Sequence, residues 1–428
     1  MKKILILSLM VIVGVAFAGF ATSQREAVPT GPVTVMFVLK NTTTTPPYEA
    51  IFAEYKKETG NTVEIQALPA GEEYGQLMMT RFATNDYPDA FEMDPGTKQY
   101  IKFRAAETLY DWTRDPVVDT ITDSMKEFQT LNGKIYGIPW GSTGNLGVYY
   151  NKDIFDSLRL RIPQSYEEFI GVCEKIKAAG VIPIYEAVKT GWPLQIFSLA
   201  AWVSYVDPAI GDEGVFKLEN NQLRLNQIPA LRDVLAAQID LKDRGFYQDN
   251  VLAGTYEEQQ DYLGTGKVGM VFQGAWLLNL LKEKFGEDFV NDKVGWFPVP
   301  GEDSPGIACL YAAGQILVPK LTENADTAVE LVRFMTSKES LDIWYTANPG
   351  LPVYKHAEST LYPAQEEVFE LVQEDRAKIN VQNRLSSSFT DYPKILQQLF
   401  IDGDVDEALD QLDENYRKTG KARLLPGF

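Results

Sequence analysis

Three glycines, Gly264, Gly266 and Gly269, stand in the G-x-G-x-x-G spacing that elsewhere cradles a dinucleotide pyrophosphate. That chemistry needs a strand before the glycines and a helix after them, so that the phosphates meet a helix N-terminus. Here the order is reversed. A polar helical pattern, Tyr256 to Leu263, comes first, and a strand-like run, Val268 to Phe272, follows. The glycines therefore end a helix and turn the chain, and Lys267 followed by Val268 fails as a Walker loop. The other end of that strand is better placed for a ligand, because open α/β sheets gather ligands outside the carboxyl ends of their strands. Gln273-Gly274-Ala275-Trp276 lies there. Gly274 would let the backbone approach a ligand closely, and Trp276 could lay its indole on the C–H face of a sugar. Covering about 100 Å² of such a face contributes roughly 2–3 kcal/mol. A core position beside Leu277 and Leu280 is the plainer alternative for Trp276.

Other residues with chemical potential lead less far. The only histidine, His356, reads as a solvated surface residue and excludes any multi-histidine metal site. "DGDVDEALDQLDE", from Asp402, has the alternate acids of a calcium loop, but Glu407 stands where the loop needs glycine, and Asp404 with Glu407 suits a helix cap. Glu72-Glu73 and Glu257-Glu258 could serve as glycosidase carboxylates only with partners from elsewhere, since neighbours on one helix point in different directions. No cofactor is expected. Cys173 and Cys309, both in apolar surroundings, read as buried thiols rather than a disulfide framework.

The elements that position these residues are those of an α/β protein. Strand-like Val33–Leu39 leads through "KNTTTTPP" to a helix opened by Pro46-Pro47, with Tyr48, Ile51, Phe52 and Tyr55 on one face, and closed by Gly60. A strand at 62–68, a helix at 72–83 and a strand at 89–93 continue the grammar of a parallel sheet covered by helices. Asn132-Gly133 suits a tight turn, and strand-like residues then run to Tyr150. Ser165 and Glu168 cap a new strand–helix series, and from Asn324 the chain is nearly all helical. Two such series predict two lobes.

Lys2 and Lys3, the apolar run Ile4–Ala18 and the small residues around Ala16-Phe17-Ala18 form the three-part pattern of a secretory signal peptide. No cysteine near the cleavage site offers a lipid anchor, so the expected location is a periplasm. The chain has 428 residues and a formal net charge of -19, which disfavours nucleic acid and anionic membranes. Neutral substrates are favoured over acidic ones, although residues local to a pocket can override the overall field.

Several segments together resemble the extracellular solute-binding proteins of ABC sugar importers, the family that includes maltose-binding protein. "GKIYGIPWGSTGNLGVYYNKDIF" looks like that family's first interlobe crossing, and "IPQSYEEFIGVCEKIKAAGVIPI" like the helix that follows. "GKVGMVFQGAW" is similar to its Gly-x-Trp ligand segment, "AAGQILVPKLTENADTAVELVRFMTSKES" to the return crossing, and "NPGLPVY" to the last crossing. The resemblance implies a periplasmic-binding-protein-like fold: two α/β lobes, crossings near Ile138-Pro139, Leu310-Tyr311 and Leu351-Pro352, and a closing ligand cleft between the lobes. It implies a signal peptide over 1–23, one lobe from 24–139 plus 311–352, and a second from 140–310 plus 353–428 with the C-terminal helices.

Its implied ligand residues are Trp276 with Gly274, Trp192, Trp140 after the crossing proline, Tyr311 at the second crossing, Asn41 and Thr43 after the first strand, and Asp94 ending "PDAFEMD". Asn41 could equally cap a turn, Asp94 a helix, and Trp192 could be core. None of these candidates is a lysine or arginine. The implied function is not enzymatic: capture of a neutral sugar or oligosaccharide and delivery, by a monomer, to an inner-membrane ABC permease. Another solute, such as a polyol, a glycerophosphodiester or a peptide, is the alternative; a secreted carbohydrate-active enzyme would need two opposed carboxylates.

Overall fold

The computed structural model describes residues 31–428 apart from Thr42, Thr44, Gly71 and Pro426, and the expected export segment lies outside the described residues. The chain opens with β1 (Thr34–Lys40), β2 (Thr62–Leu68) and β3 (Ala90–Met93). The helix Pro46–Thr59 joins the first two and buries Tyr48, Ile51, Phe52 and Tyr55, as their helical spacing requires. In chain order there follow β4 (Gly137–Trp140), β5 (Ser142–Asn151), β6 (Ile182–Tyr185), β7 (Val268–Gly274), β8 (Val294–Phe297), β9 (Ala308–Tyr311), β10 (Gly314–Leu317), β11 (Leu351–Pro352) and β12 (Ala377–Ile379).

These strands form two sheets. The first is five-stranded in the order β2-β1-β3-β10-β4. β1 is parallel to both β2 and β3, and β10 runs antiparallel between β3 and β4. The second is seven-stranded along β12-β9-β5-β7-β6, with β8 and β11 also paired to β5. Each sheet has its own apolar core. Phe37, Tyr48, Ile138, Ile316, Val332 and Tyr354 belong to the first; Val148, Phe169, Ile184, Leu235, Phe272 and Leu396 belong to the second. This is the expected two-lobe α/β fold.

The crossings lie side by side. Gly141, at φ 94°, turns the chain from β4 in the first sheet into β5 in the second. β9 hands over to β10 through Ala312 and Ala313, and β11 pairs with the start of β5. Tyr345 Oη donates to the carbonyl of Gly141 at 2.9 Å and accepts from the N–H of Val353 at 3.2 Å, tying the first and third crossings together. Tyr354 Oη donates to the carbonyl of Pro139 at 2.5 Å.

Three boundaries differ from those expected. Trp140 pairs within the first sheet and Tyr311 within the second, each on the opposite side of its crossing from the assigned lobe. Val353 and Tyr354 return to the first core, and the chain reaches the second only around Tyr362, because their side chains fill space beside Ile121 and Tyr345.

Smaller expectations divide similarly. Asn132 and Gly133 take φ of 51° and 72° between bridged Leu131 and Lys134, the expected tight turn. Ser165 caps its helix by accepting from the N–H of Glu168, and Asp404 does so from Glu407. Cys173 and Cys309 are buried thiols. His356 is half-buried, with Nε2 3.0 Å from the carbonyl of Thr336, and so is less solvated than expected. The helix that begins at Gln195 runs on past Tyr205 with two irregularities. Residues 195–201 are α-helical, 202–206 take a π-helical turn, and 207–219 are helical again past a kink at Gly211. The widened turn lets Trp202 Nε1 donate to Asp207 at 2.9 Å, and Asp207 also pairs with Arg384 at 2.6 Å in a buried ion pair.

Candidate ligand cleft

The parallel strands aim their carboxyl ends at one place. The chain leaves β1 for β2 on one side and then crosses to β3 on the other, and the gap outside the carboxyl ends of β1 and β3 is where such sheets bind ligands. Lys40 ends β1 and Asp94 follows β3; the two form an ion pair. Glu92 lies two residues before Asp94, and alternation along a strand puts both on one face. Thr43 Oγ1 donates to the Glu92 carboxylate at 3.1 Å, and Tyr74 Oη donates to the Glu92 carbonyl at 2.7 Å. Lys40 Nζ also lies 5.8 Å from the centre of the Tyr74 ring.

The electrostatics of this wall follow from those contacts. Burial pulls the Lys40 ammonium down, but the Asp94 and Glu92 carboxylates more than offset it, so Lys40 is held above its ordinary value. Desolvation pushes Asp94 up, and Lys40, through charge and hydrogen bond, with Lys98 and Lys102 behind it, brings the carboxyl below its ordinary value. Glu92 is raised, because burial outweighs Lys40 and the Thr43 hydroxyl.

The facing wall is aromatic. β6 and β7 are parallel, and their carboxyl ends lead toward Trp192 and into Trp276. Trp192 packs edge-to-face on Tyr256 at 4.8 Å and on Trp276 at 5.9 Å, and Trp276 packs edge-to-face on Tyr311 at 5.9 Å. Each such pair contributes about 0.5–1.5 kcal/mol beyond burial and limits ring rotation. All four rings are half-buried. Trp276 Nε1 donates to Gln273 Oε1 at 2.9 Å, Gln273 Nε2 to Gln259 Oε1 at 2.8 Å, and Gln259 Nε2 to the carbonyl of Tyr185 at 2.9 Å. That relay fixes the plane of the indole from beneath.

Gly274 has a role other than the one expected. A Cβ there would lie 2.3 Å from the Trp276 ring, so the missing side chain makes room for the protein's own indole rather than for a ligand.

Tyr311 joins the walls. It touches Trp276, while burial and the nearby Asp94 push its phenol up to about 12, with Lys40 opposing.

Two candidates fall outside this convergence. Asn41 is exposed, and its side-chain oxygen accepts from the N–H of Ala70 at 3.1 Å, so it caps a turn. Trp140 is 3% exposed and belongs to the first core, 4.8 Å from Trp344 and 5.9 Å from Tyr48, so its faces are taken by packing. The Tyr48 hydroxyl lies beside both the Trp140 indole and the Glu92 carboxylate. Yet Tyr48 Oη, Trp140 Nε1 and Trp344 Nε1 are buried without hydrogen-bond partners among the described residues.

Four residues of the cleft escape a reading of the sequence. Glu92 had a signal, the alternation with Asp94 in "FEMD". Lys40 is a strand's last residue with nothing local to mark it. Tyr256 sits in a polar helical pattern whose N-terminus faces Trp192 only after folding. Lys98 reaches the site by donating to the carbonyl of Gln382 at 3.3 Å.

Two α/β lobes, adjacent crossings, and polar and aromatic walls at strand ends are the architecture of a two-lobe binding protein. The chain belongs to the bacterial extracellular solute-binding proteins, whose family pattern matches residues 50–370. It is accordingly an exported protein, and no helix among the described residues is long and apolar enough to cross a membrane. It is 23% identical over 360 residues, 82% of each chain, to the multiple sugar-binding protein of Streptococcus mutans. It is also 23% identical over 311 residues, 68% of each chain, to the melibiose/raffinose/stachyose-binding protein MelE of Bacillus subtilis. Among solved structures, the solute-binding protein RafE in complex with raffinose superposes with a TM-score of 0.77 at 20% identity, covering 90% of this chain and 99% of that one.

Proposed function

We propose that this chain captures a sugar or oligosaccharide between its lobes and delivers it to the membrane permease of an ABC importer. The observation that carries the reading is the file of rings Tyr256, Trp192, Trp276 and Tyr311, whose Tyr311 end lies near the Lys40–Asp94 pair. A pyranose presents an apolar C–H face to the rings and hydroxyls to Asp94, Glu92 and Thr43, and the names of the relatives support the same class of ligand. Closure is a population shift, so the ligand must contact both walls more favourably in the closed state than in the open one. Glu92 and Asp94 stand on one face of one strand rather than opposed across a sugar, which supports binding and release unchanged over glycosidic hydrolysis. In this reading the lobes comprise 31–140 with 312–357, and 142–311 with 362–428. The mature protein, freed of residues 1–23, acts as an unanchored monomer in a periplasm.

A thermal-shift screen against mono- and oligosaccharides, polyols, peptides and glycerophosphodiesters tests it. A sugar at a hundred times its dissociation constant adds about 2.7 kcal/mol of stability. In Trp276→Ala that sugar's affinity falls by about 2–3 kcal/mol, the worth of the lost stacking area. A shift with a peptide or glycerophosphodiester and none with any carbohydrate overturns the sugar assignment.

A further inference from the structure

The cleft gathers more positive charge than its carboxylates balance. Asp94 is engaged by Lys40, which leaves Lys98 and Lys102 on the first lobe and Arg423 on the second. No carboxylate lies within ion-pair distance of these three among the described residues. Their partners are neutral. Lys98 Nζ donates to the Gln382 carbonyl, and Arg423 donates to the carbonyl of Ser386 at 2.7 Å and to Ser388 Oγ at 2.9 Å. Lys102 Nζ stands over the backbone of Gly75, where an added Cβ would be 2.5 Å away, and 5.6 Å from the ring of Phe103. The segment holding Gln382 is itself anchored, because Arg384 is tied to buried Asp207.

Lys98 and Lys102 stand one turn apart on the short helix Lys98–Lys102, and Lys98 and Arg423 both donate to the segment 382–388. Burial, then Arg423 and Lys102, bring Lys98 down to about 8 in spite of Asp94. Burial, with Arg423 and Lys40, also lowers Lys102. A chain of net charge -19 has no general reason to crowd like cations across a cleft, and their repulsion opposes closure until something neutralises it.

Resting on the sugar reading above, we infer that the ligand is a sugar bearing an anionic group, a carboxylate or a phosphate, which docks between Lys98 and Lys102 of one lobe and Arg423 of the other. The group would accept hydrogen bonds from all three, and the guanidinium fork, held by Ser386 and Ser388, suits two acceptor oxygens. The charge supplies a contact that exists only when the lobes close, as a population shift requires. The protein's overall negative field then slows capture of such a ligand, while the local cations hold it once bound.

Isothermal titration of the mature protein with mono-, di- and trigalacturonate, their methyl esters, galactose, neutral galacto-oligosaccharides and a hexose phosphate separates the possibilities. The acid is expected to bind at least tenfold more tightly than its methyl ester, with affinity falling as salt rises. Lys98→Gln or, as a milder second variant, Lys102→Gln should weaken the acid more than the ester and bring the two within about twofold. Preference for the hexose phosphate over the uronates assigns the anion as phosphate. Neutral sugars binding as tightly as the acids overturn this inference and leave the sugar reading standing. No binding by any carbohydrate, charged or neutral, overturns both.

Discussion

The first-lobe wall of the cleft carries charge and the second carries ring faces, and the two are supported in different ways. On the first, Lys40, Glu92 and Asp94 sit at the ends of neighbouring parallel strands, and each is poised by the others. On the second, Trp192, Tyr256, Trp276 and Tyr311 hold one another edge-to-face, and a glutamine relay sets the plane of the central indole. A charged wall adjusts to its ligand through titration and ion pairing. An aromatic wall must be rigid before the ligand arrives, because stacking area is lost as soon as the plane tilts. The contrast extends below the surface. Asp94 has a cation, whereas Glu186, which directly follows β6 beneath the aromatic wall, is fully buried. One Glu186 carboxylate oxygen accepts from the N–H of Ala187 at 2.9 Å, and the other has no partner among the described residues.

The largest expected effect uses those two acids. Burial pushes Glu186 up to about 8, so the folded protein holds that proton more tightly than the unfolded chain. Its contribution to stability is complete below the ordinary carboxylate range and declines as pH rises through about 8. Asp94, held low, behaves oppositely: its contribution is present above the ordinary carboxylate value and lost as pH falls through the lowered one. Glu186→Gln should remove the alkaline decline, on the order of a few kcal/mol between about pH 5 and pH 9. Urea midpoints measured across pH check this, and parallel curves for the two proteins would erase the contrast.

A smaller effect separates rigidity from composition. Gly274→Ala leaves every aromatic in place but drives a methyl into the Trp276 ring. Overpacking of this kind costs about 1–3 kcal/mol. Sugar affinity should fall together with a shift in tryptophan emission, and an unchanged dissociation constant would show that the indole's plane does not matter.

The smallest acts on the charged wall. Asp94→Asn keeps a hydrogen-bonding group but removes the partner of Lys40, and binding of an uncharged sugar should weaken about tenfold, or roughly 1.4 kcal/mol. An anionic sugar should bind as well as before or better, since one more cation is left unbalanced. Equal weakening for both ligands, by titration calorimetry, would mean that Asp94 serves hydroxyls alone.

What the sequence determined by itself is what local patterning can encode. The faces of the helix after β1, the Asn132-Gly133 turn, the caps at Ser165 and Asp404, and the failure of the glycine motif all depend on residues a few positions apart. So does Trp276 at the end of β7, since a strand followed by a helix marks that end. Tertiary structure alone decided who meets there. Asn41 and Thr43 share one loop, yet one caps Ala70 and the other reaches Glu92. Trp140 and Trp192 were alike as candidates, and only packing put the first in a core and the second against Trp276. Lys98 and Arg423 are separated by most of the chain. The physical reason is range: caps, turns and periodicity act within one or two turns of backbone, whereas a cleft's charge and shape are sums over distant segments that the crossings bring together.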